Sequence, residues 1–524
     1  MKFSVPRNVL YMLFTFLLMD FVAQIQLLTF MTLADTLVAM NNHTLRAHFG
    51  IEPTEASLSL MNSFITSSNT VGMLFSLFFL MPLGETKGRK FTVIYIRYLV
   101  NLASSICLLT AALLQATEFF MIGQFLIGAQ LPLRMFISQL YVMECAPDKH
   151  RGFTSTALVF SDVVAQVFMY SVASPSVLGK VDTWFVFPLF AIISATVILC
   201  FNARLLDSPK WLVRQNKMDE AAKSIEFYHG EDCALNDVLT SFIREKNLTV
   251  EDQISIKQVI ENDTMREAMK VVLSVTLFTV FDSSSVSGIY TVLFHTEVGW
   301  TVQQTMNINL ILTILLFPTK FVGTYIIDAL GRRPVMAIAG IIIYAKSWLM
   351  LLVQFILYFN GPSLITKITY FVVELLTQLA PATGVTSLGI LFISELFPPS
   401  ARTSVAQCIL LVTMLANSPV VAIFPIINSF FAPGFFIPHL ITQALLGAYL
   451  YRHMPETRAR AVCDIIESMD AEVASRTASF LEEKSPLIRK RSTIFANKRN
   501  SILITPRTRA LTVDHNLIPS KWNC

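Results

Sequence analysis

Charged residues are scarce in this sequence, where they make up 15% of 524 residues, against roughly 25% in soluble domains. More than half of the chain, 54%, is hydrophobic, and it contains 41 Phe and 21 Met. So few polar side chains exclude an ordinary water-soluble globular protein, because they could not cover its surface. The composition instead suits a chain that is solvated largely by lipid.

Cysteine is also rare, with seven residues that all fall in hydrophobic runs or on the predicted inner side of the membrane. This placement excludes an extracellular disulfide framework. The sequence has no nucleotide-binding loop, metal-spaced cluster or nucleophile motif, so it predicts no enzyme, no ATP-driven pump, no cofactor and no metal site. The net charge of +4 arises in a polar C-terminal tail and indicates no nucleic-acid partner.

Long hydrophobic runs are abundant. A bilayer core about 30 Å thick takes about 20 apolar residues per helix, and the backbone must satisfy its own hydrogen bonds there. The runs do not alternate apolar and polar residues, so helices are predicted rather than barrel strands. The twelve predicted spans are 9–34, 57–82, 92–114, 119–143, 153–177, 182–203, 269–293, 305–327, 334–358, 365–393, 404–428 and 434–452. The predicted fold class is an all-α membrane protein with twelve transmembrane helices.

The first run follows Lys2 and Arg7, as the core of a signal peptide would. It is too long for such a core and lacks a clear small-residue cleavage site. We therefore interpret it as a retained span.

Basic residues in the short loops predict the orientation, since cytoplasmic loops are enriched in Lys and Arg. With both termini in the cytosol, the outer loops hold only Arg46, Lys180 and Lys367. The inner segments hold Lys2, Arg7, Lys87, Arg89, Lys90, Lys149, Arg151, Arg332, Arg333 and Arg402. This asymmetry predicts two cytosolic termini.

Short motifs in the outer loop and the tail bear on localisation. Asn42 begins the acceptor sequence NHT in the predicted first outer loop, which favours a glycan there. The tail segment EKSPLI (Glu483 to Ile488) is similar to an acidic dileucine sorting signal. The plasma membrane is the predicted location, with an endolysosomal membrane as the alternative.

Three charged motifs occur twice, in the same order, at predicted cytoplasmic loops. They are ETKGRK with DALGRR, ECAPDKHRG with ELFPPSART, and DSPKWL with MPETRAR. Three paired joints indicate a duplicated six-span unit. The predicted parts are a six-helix bundle over 1–203, a cytosolic linker with short helices over 204–268, a second bundle over 269–460 and a basic, disordered cytosolic tail over 461–524.

These paired motifs resemble the signatures of the major facilitator superfamily, and DSPKWL, ELFPPSAR and PETRAR resemble in particular its sugar-porter branch, which includes the facilitative hexose transporters. The resemblance covers about residues 9–460. It implies two six-helix bundles, a solute site between them near mid-membrane, and alternating access by rocking.

The duplicated joints predict a cytoplasmic gate. Arginine offers forked donors that suit carboxylates, and such a cluster would close where the two bundles meet on the inner side. It would stabilise the outward-open state; the alternative is that these charges only obey the positive-inside rule. The predicted gate residues are Glu85, Arg89, Lys90, Glu144, Arg151, Asp328, Arg332, Arg333, Glu395 and Arg402.

Ionisable residues inside the spans are costly and indicate pairing or function. Arg97 and Lys346 are interpreted as lying near span ends or snorkelling to the interface. Deeper positions belong to four acids and two candidate counter-charges: Asp20, Asp162, Asp282, Glu374, Arg134 and Lys320. Pairing between helices and contact with a substrate or proton remain equal alternatives for each of them.

The sequence departs from hexose transporters at the positions that read the sugar. Their seventh span carries Gln-Gln-Leu-Ser-Gly-Ile-Asn, where this sequence reads SSVSGIY (Ser284 to Tyr290). The Trp of the tenth span is Ile390, and Gln124 replaces an Arg that partners the first-span Asp in proton-coupled members. Amides read hydroxyls by donating and accepting at once, so a different small organic solute is favoured over an ordinary hexose.

The candidate solute site is chosen by position and polarity. Its residues are Asp20, Gln124, Asp162, Gln166, Asp282, Ser284, Ser285, Tyr290, Gln378 and Asn417. Three functions stay open: a sugar-porter-like carrier of a small organic solute, an organic-ion carrier of the same superfamily, and a transport-dead sensor. The expected partners are the solute, the lipid bilayer and, as an open option, a coupling proton.

Overall fold

The computed structural model describes residues 6–147, 151–230, 234–250, 254–319, 326, 329–383, 385–397 and 399–457. All regular structure within these ranges is helical. The helices of the first part of the chain are α1 (Arg7–Thr32), α2 (Ala34–Ala47), α3 (Glu55–Phe75), α4 (Leu83–Thr86), α5 (Arg97–Leu114), α6 (Thr117–Pro132), α7 (Gln139–Cys145), α8 (Arg151–Val172) and α9 (Val186–Asn202).

Three π-helical segments lengthen these helices. Ser76–Leu80 continues α3, Phe91–Ile96 precedes α5, and Leu133–Ser138 joins α6 to α7. Such segments widen a helix by one residue per turn and often lie at functional sites. The last of them carries Arg134, one of the candidate counter-charges.

The second part of the chain begins with short helices and continues with long apolar ones. They are α10 (Pro209–Arg214), α11 (Met218–His229), α12 (Leu235–Val250), α13 (Ile256–Glu261), α14 (Asp263–Val280), α15 (Ser284–Ser287), α16 (Thr291–Glu297), α17 (Val302–Leu316), α18 (Arg332–Asn360), α19 (Leu364–Leu379), α20 (Val385–Leu396) and α21 (Pro399–His453). A 3-10 turn at Ala380–Thr383 connects α19 to α20.

The structure confirms the predicted all-α membrane class. Each of the twelve predicted spans coincides with helical structure in the described residues, and six helices are long and apolar enough to cross a membrane unaided. The last two spans form one 55-residue helix, α21, whose backbone breaks at Phe431 (φ −155°, ψ 85°). That break falls between the two predicted spans.

The seventh span is not the continuous helix that the sequence predicted. Its residues are divided among α14, α15 and α16, with breaks near Asp282 and Gly288. Serine competes with the backbone for hydrogen bonds, and three consecutive serines (Ser283 to Ser285) occupy the first break. The second break follows Gly288, which lacks a side chain to stiffen the chain.

Buried apolar side chains form five clusters. One contains only residues from the first part of the chain, from Ile25 to Phe187, and one joins residues of the first part, beginning at Val9, to Tyr228 of α11. Two others run from Val259 to Met454 and from Val286 to Leu440. The fifth cluster holds α10, α11 and α12 together. The domain boundaries given above stay predictions.

Large apolar side chains are also exposed on the outside of the long helices. Examples are Ile341 at 71%, Leu364 at 72% and Phe430 at 75% relative exposure. A water-soluble protein does not expose apolar surface on this scale. Lipid tails would cover it, in agreement with the predicted spans.

Glycine allows α3 and α6 to approach closely. A Cβ atom built on Gly72 would overlap the carbonyl oxygen of Phe125, and one built on Gly128 would overlap that of Asn69. The overlapping atoms belong to the backbone and cannot rotate away. Both glycines are therefore required by the packing of the second span against the fourth.

The Gly128→Ala variant is expected to lose about 1–3 kcal/mol of stability, because overpacking forces the two backbones apart. Thermal melting of the detergent-purified chain measures the loss. Gly340→Ala is the matched control, since Gly340 also lies in a membrane helix but a Cβ there would meet only Phe278 Cζ at 3.8 Å. Equal melting temperatures for the two variants would refute the close-contact argument.

Candidate transport site and cytoplasmic joints

The first of the two predicted cytoplasmic joints is built around Glu144 at the end of α7. Ser208 Oγ donates a hydrogen bond to its Oε2 at 2.5 Å, and Arg89 Nε lies 3.5 Å from the same oxygen. Arg89 is almost fully buried and also donates to Glu85 Oε1 at 2.8 Å. A buried guanidinium of this kind is stable because its charge is matched by two carboxylates.

The residue before Ser208 caps the third span. Asp207 Oδ1 accepts hydrogen bonds from the backbone N–H of Lys90 at 3.0 Å and of Ser208 at 2.7 Å. A carboxylate at a helix N-terminus is favoured by the helix dipole. The motif DSP thus joins the linker to the start of the third span through Asp207 and to Glu144 through Ser208.

The second joint repeats this arrangement in the other part of the chain. Arg332 donates to Glu395 Oε1 through Nε at 3.2 Å and through an amino nitrogen at 2.7 Å, and Thr457 Oγ1 donates to Glu395 Oε2 at 2.6 Å. Glu456 accepts from the backbone N–H of Arg332 at 3.0 Å and of Arg333 at 2.9 Å. In both joints the acid caps a helix and the next residue, a Ser or a Thr, donates its hydroxyl to a glutamate. This shared role explains why the dipeptides DS (Asp207–Ser208) and ET (Glu456–Thr457) occur at corresponding places.

The other predicted gate residues contact nearby backbone. Lys90 Nζ donates to Ala203 O at 3.4 Å, Arg333 to Tyr451 O at 2.9 Å, and Arg402 Nε to Phe397 O at 3.0 Å. Asp328 and the side chain of Arg151 lie outside the described residues.

At each joint, the described contacts between the arginine and the glutamate are made within a single part of the chain. Glu144 and Arg89 both precede the linker, and Glu395 and Arg332 both follow it. The sequence predicted a cluster that forms only where the two bundles meet. That cross-bundle gate stays a prediction.

Asp207 supports a test of the first joint. Burial raises the pKa of its carboxyl group, although the N–H groups of Lys90 and Ser208 and the charge of Arg89 lower it. Asp207→Ala removes the cap and is expected to cost about 0.5–2 kcal/mol. Asp207→Asn keeps a carbonyl acceptor without the charge that burial disfavours, so it should lose less.

Thermal melting of the purified variants gives this comparison, with Glu226→Ala as the control because Glu226 lies exposed on α11. Equal melting temperatures for Asp207→Ala and Glu226→Ala would show that the cap does not stabilise the joint.

Asp20 is the centre of a buried charge network in the first part of the chain. Arg97 donates to its Oδ1 at 2.5 Å, and Arg134 Nε lies 3.7 Å from the same oxygen. Arg134 also donates to Gln24 Oε1 at 2.5 Å and is paired with Asp162. The four charges balance, two acids against two bases.

The interpretation that Arg97 snorkels to the interface was wrong, although the residue lies in the first half of its span, Phe91–Leu114. Its side chain is fully buried and pairs with Asp20 on another span. Asn101, one turn further along α5, belongs to a neighbouring amide network with Gln26 and Gln130. A line of polar residues one turn apart was the sequence signal that α5 faces inward here.

Lys346 has the corresponding position in the second part of the chain, and the snorkelling interpretation was wrong for it too. The residue lies at the centre of α18, and its ammonium group donates to Asp282 Oδ2 at 2.6 Å and to Ser284 Oγ. Its side chain is fully buried. In both parts of the chain, an acid on the first span therefore pairs with a base on the third.

The serines of SSVSGIY are engaged within the protein. Ser284 binds Lys346, and Ser285 Oγ donates to Val280 O at 2.6 Å. Ser284 thus accepts a bond from a side chain of another span, whereas Ser285 binds a backbone oxygen just before the break in the seventh span. Their role in binding a solute stays a prediction.

Tyr290 lies between the two parts of the chain. Its ring contacts Phe30 of α1 and Phe424 of α21, with centroid distances of 6.3 and 5.0 Å. Its hydroxyl is 3.4 Å from Thr66 Oγ1 of α3. The ring of Tyr290 therefore fills space between spans, at the position where hexose transporters carry an Asn with a side-chain amide.

The remaining candidates lie on three helices. Asp162 and Gln166 on α8, Gln378 on α19 and Asn417 on α21 are partly exposed. Gln378 Nε2 donates to Glu374 Oε1 at 3.4 Å. Gln124 is buried at the contact of α6 with Asn69 of α3, and its backbone oxygen accepts from that amide at 3.2 Å.

Two further sequence predictions concern Lys320 and Asn42. Lys320 lies outside the described residues. Asn42 is part of α2 and is partly exposed, so the segment predicted as the first outer loop is helical. Its glycosylation stays a prediction.

Twelve helical spans with matched ion pairs in each part of the chain define a transporter of the major facilitator fold. A family model described as "Sugar (and other) transporter" matches residues 28–468. The chain belongs to this family, and like its members it transports a small solute.

Curated relatives and solved structures are similar over most of their length. The sugar transporter ESL1 of Arabidopsis thaliana is 22% identical over 435 residues, which is 79% of this chain and 84% of that protein. The facilitated glucose transporter member 5 of Bos taurus is 21% identical over 448 residues, 81% of this chain and 84% of that protein. The inward-open xylose transporter XylE of E. coli superposes with a TM-score of 0.65 at 18% identity, covering 87% of this chain and 99% of that one.

Proposed function

We propose that the chain carries a small polar organic solute other than an ordinary hexose, by alternating access between its two six-helix bundles. The observation that carries the proposal is the set of contacts made by the side chains of SSVSGIY (Ser284 to Tyr290). Ser284 and Ser285 use their hydroxyls inside the protein, and Tyr290 fills the space between spans. At these positions the chain has no amide that could read a sugar hydroxyl by donating and accepting at once, so it lacks these contacts in favour of a sugar.

The proposed solute site lies between α8 on one side and α19 and α21 on the other. Asp162 supports this location, because its side chain remains 34% exposed although it is paired with Arg134. Gln166 and Gln378 add amide groups from the two facing bundles. A carboxylate, a guanidinium and amides together favour a solute with a charged or strongly polar group.

The proposed transport cycle uses the cytoplasmic joints as the inner gate. In each joint, an ion pair between an arginine and a glutamate holds the bundle rigid. The pairs are Arg89 with Glu144 and Arg332 with Glu395. The two rigid bundles would rock about the solute site, and the inner gate would open when the joints separate.

Counterflow in proteoliposomes tests the proposal. The purified full-length chain is preloaded with one unlabelled solute and supplied with the same labelled solute, using hexoses in one arm and small organic anions, cations and amino acids in the others. We expect saturable exchange in one of the charged or zwitterionic arms. Exchange of hexoses alone would refute the proposed solute class, and binding without exchange would support a transport-dead sensor.

Asp162→Asn is the informative variant in this assay. Removing a charged contact to the solute should lower exchange about tenfold, the equivalent of 1.4 kcal/mol. Arg134 keeps contacts with Asp20 and Gln24, although the network then holds two bases and one acid, so thermal melting checks that the variant is as stable as the wild type. Asp219→Asn, at an exposed position on α11, is the control that should retain full exchange.

The proposed location is the plasma membrane with both termini in the cytosol, and an endolysosomal membrane is the alternative. The inner position of most loop Lys and Arg residues supports this orientation. Antibody access to terminal tags before and after cell permeabilisation tests it. Staining of intact cells would contradict it.

A further inference from the structure

Buried charges are balanced in the first bundle and unbalanced in the second. Within the described spans, Asp20 and Asp162 are matched by Arg97 and Arg134. Among the described residues in the middle of the second bundle, one cation, Lys346, shares the buried region with two acids: Asp282, which it binds at 2.6 Å, and Glu374. Lys320 lies outside the described residues. Among these described residues, one acid is left without a matching base, and its side chain is buried.

The surplus charge belongs to Glu374. Lys346 is committed to Asp282 and Ser284, and no described base lies within ion-pair distance of Glu374. Among the described residues its hydrogen bond comes from Gln378 at 3.4 Å, which is long for a bond to a carboxylate. The side chain is only 5% exposed.

The groups around Glu374 do not supply a second cation. Tyr370 precedes it by one turn on α19 and stacks edge-on with His295 of α16, at a centroid distance of 4.9 Å. Glu297, at the outer end of α16, accepts a hydrogen bond from Asn428 at 2.8 Å. The neighbouring helix α17 has no ionisable residue.

Histidine does not neutralise the surplus either. The Nδ1 atom of His439 on α21 donates to Phe435 O at 2.8 Å, and its ring lies beside Phe281. Its described contacts do not include an ion pair with Glu374.

An ionised carboxylate that is buried without a partner costs several kcal/mol, and binding a proton removes that cost. Asp20 is different, because two guanidinium groups already stabilise its ionised form. We propose that Glu374 is the intramembrane proton-binding site of this carrier, protonated while it is enclosed between the bundles and ionised when it meets water. This inference rests on the proposed alternating access.

The contact with the other bundle explains how the site would alternate. Helix α8 of the first bundle packs against α17 of the second, and α17 in turn packs against α19, the helix that carries Glu374. Rocking of α8 away from α19 would uncover Glu374 on the open side, where its proton passes to water. The proton is bound again when the bundles close.

Infrared difference spectroscopy of the full-length chain in liposomes tests the proposal without any solute. We expect a carbonyl band of a protonated carboxylic acid at neutral pH that shifts on deuteration. The band should disappear in Glu374→Gln, and it should persist at a shifted frequency in Glu374→Asp. Glu226→Gln, at an exposed position on α11, should leave it unchanged.

Loss of the band in Glu374→Gln but not in the control would support the proposal, and gel filtration checks that both variants are folded. A band that survives in Glu374→Gln, or a wild-type spectrum without one, would overturn it. An ionised Glu374 would instead fit binding of an organic cation. Because the readout needs no transport, a failure of the counterflow assay leaves this test intact.

Discussion

The Lys346→Met variant is expected to lose about 3–5 kcal/mol of stability, because it leaves Asp282 as an uncompensated charge in the membrane core. Lys346 is fully buried and binds Asp282 at 2.6 Å, so neither solvent nor salt would screen the loss. Methionine has nearly the same length and keeps the packing. The measurement is the melting temperature of the purified chain in detergent.

A second substitution separates charge from packing. Lys346→Met combined with Asp282→Leu removes both charges, and replacing a buried ion pair with apolar residues is often neutral for stability. We therefore expect the double variant to recover most of the loss. Lys223→Met, on the exposed face of α11, is the control, because it makes the same Lys-to-Met change where no ion pair is buried. A double variant as unstable as the single one would show that Lys346 contributes by packing alone.

Glu395→Gln and Glu144→Gln are each expected to shift the conformational balance toward the inward-open state. Glu395→Gln weakens the charge-assisted hydrogen bonds from Arg332, worth about 1.5–3 kcal/mol, and Glu144→Gln removes the ion pair with Arg89. Only the part of this energy that is present when the gate is closed and lost when it opens shifts the population, so the change is no larger than about a hundredfold. Glu395 should have the larger effect, because Arg332 binds it through two nitrogens whereas Arg89 Nε lies 3.5 Å from Glu144.

Labelling with a membrane-impermeant maleimide measures this balance. Single cysteines are placed along the inner half of α8 and α19 in an otherwise cysteine-free chain, and inside-out vesicles are labelled with and without each glutamine substitution. Glu226→Gln is the control. Faster labelling supports an inner gate. A lower melting temperature with unchanged labelling would mean that each joint only stiffens its own bundle, which is where the described contacts lie.

The sequence determined the helical spans, the duplicated joints and the family. A bilayer of fixed thickness requires apolar runs of a certain length, so the spans can be counted without knowing their neighbours. The joints are short segments in which the helix-capping acid and the next hydroxyl are adjacent, as in Asp207 with Ser208 and Glu456 with Thr457. Local features of this kind can be predicted from the sequence, because the residues that form them are neighbours in the chain.

The partners of the buried charges were decided by the tertiary structure alone. Arg97 and Lys346 resemble interface residues in the sequence, but each lies opposite an acid on another span, Asp20 and Asp282 respectively. The sequence likewise did not show that Ser284 accepts a bond from Lys346 or that Ser285 donates one to Val280 O. Hydropathy specifies which segments enter the membrane. Which side chains meet there depends on how the helices rotate and pack, because the energy of an ion pair or hydrogen bond arises only between atoms within a few ångströms of each other.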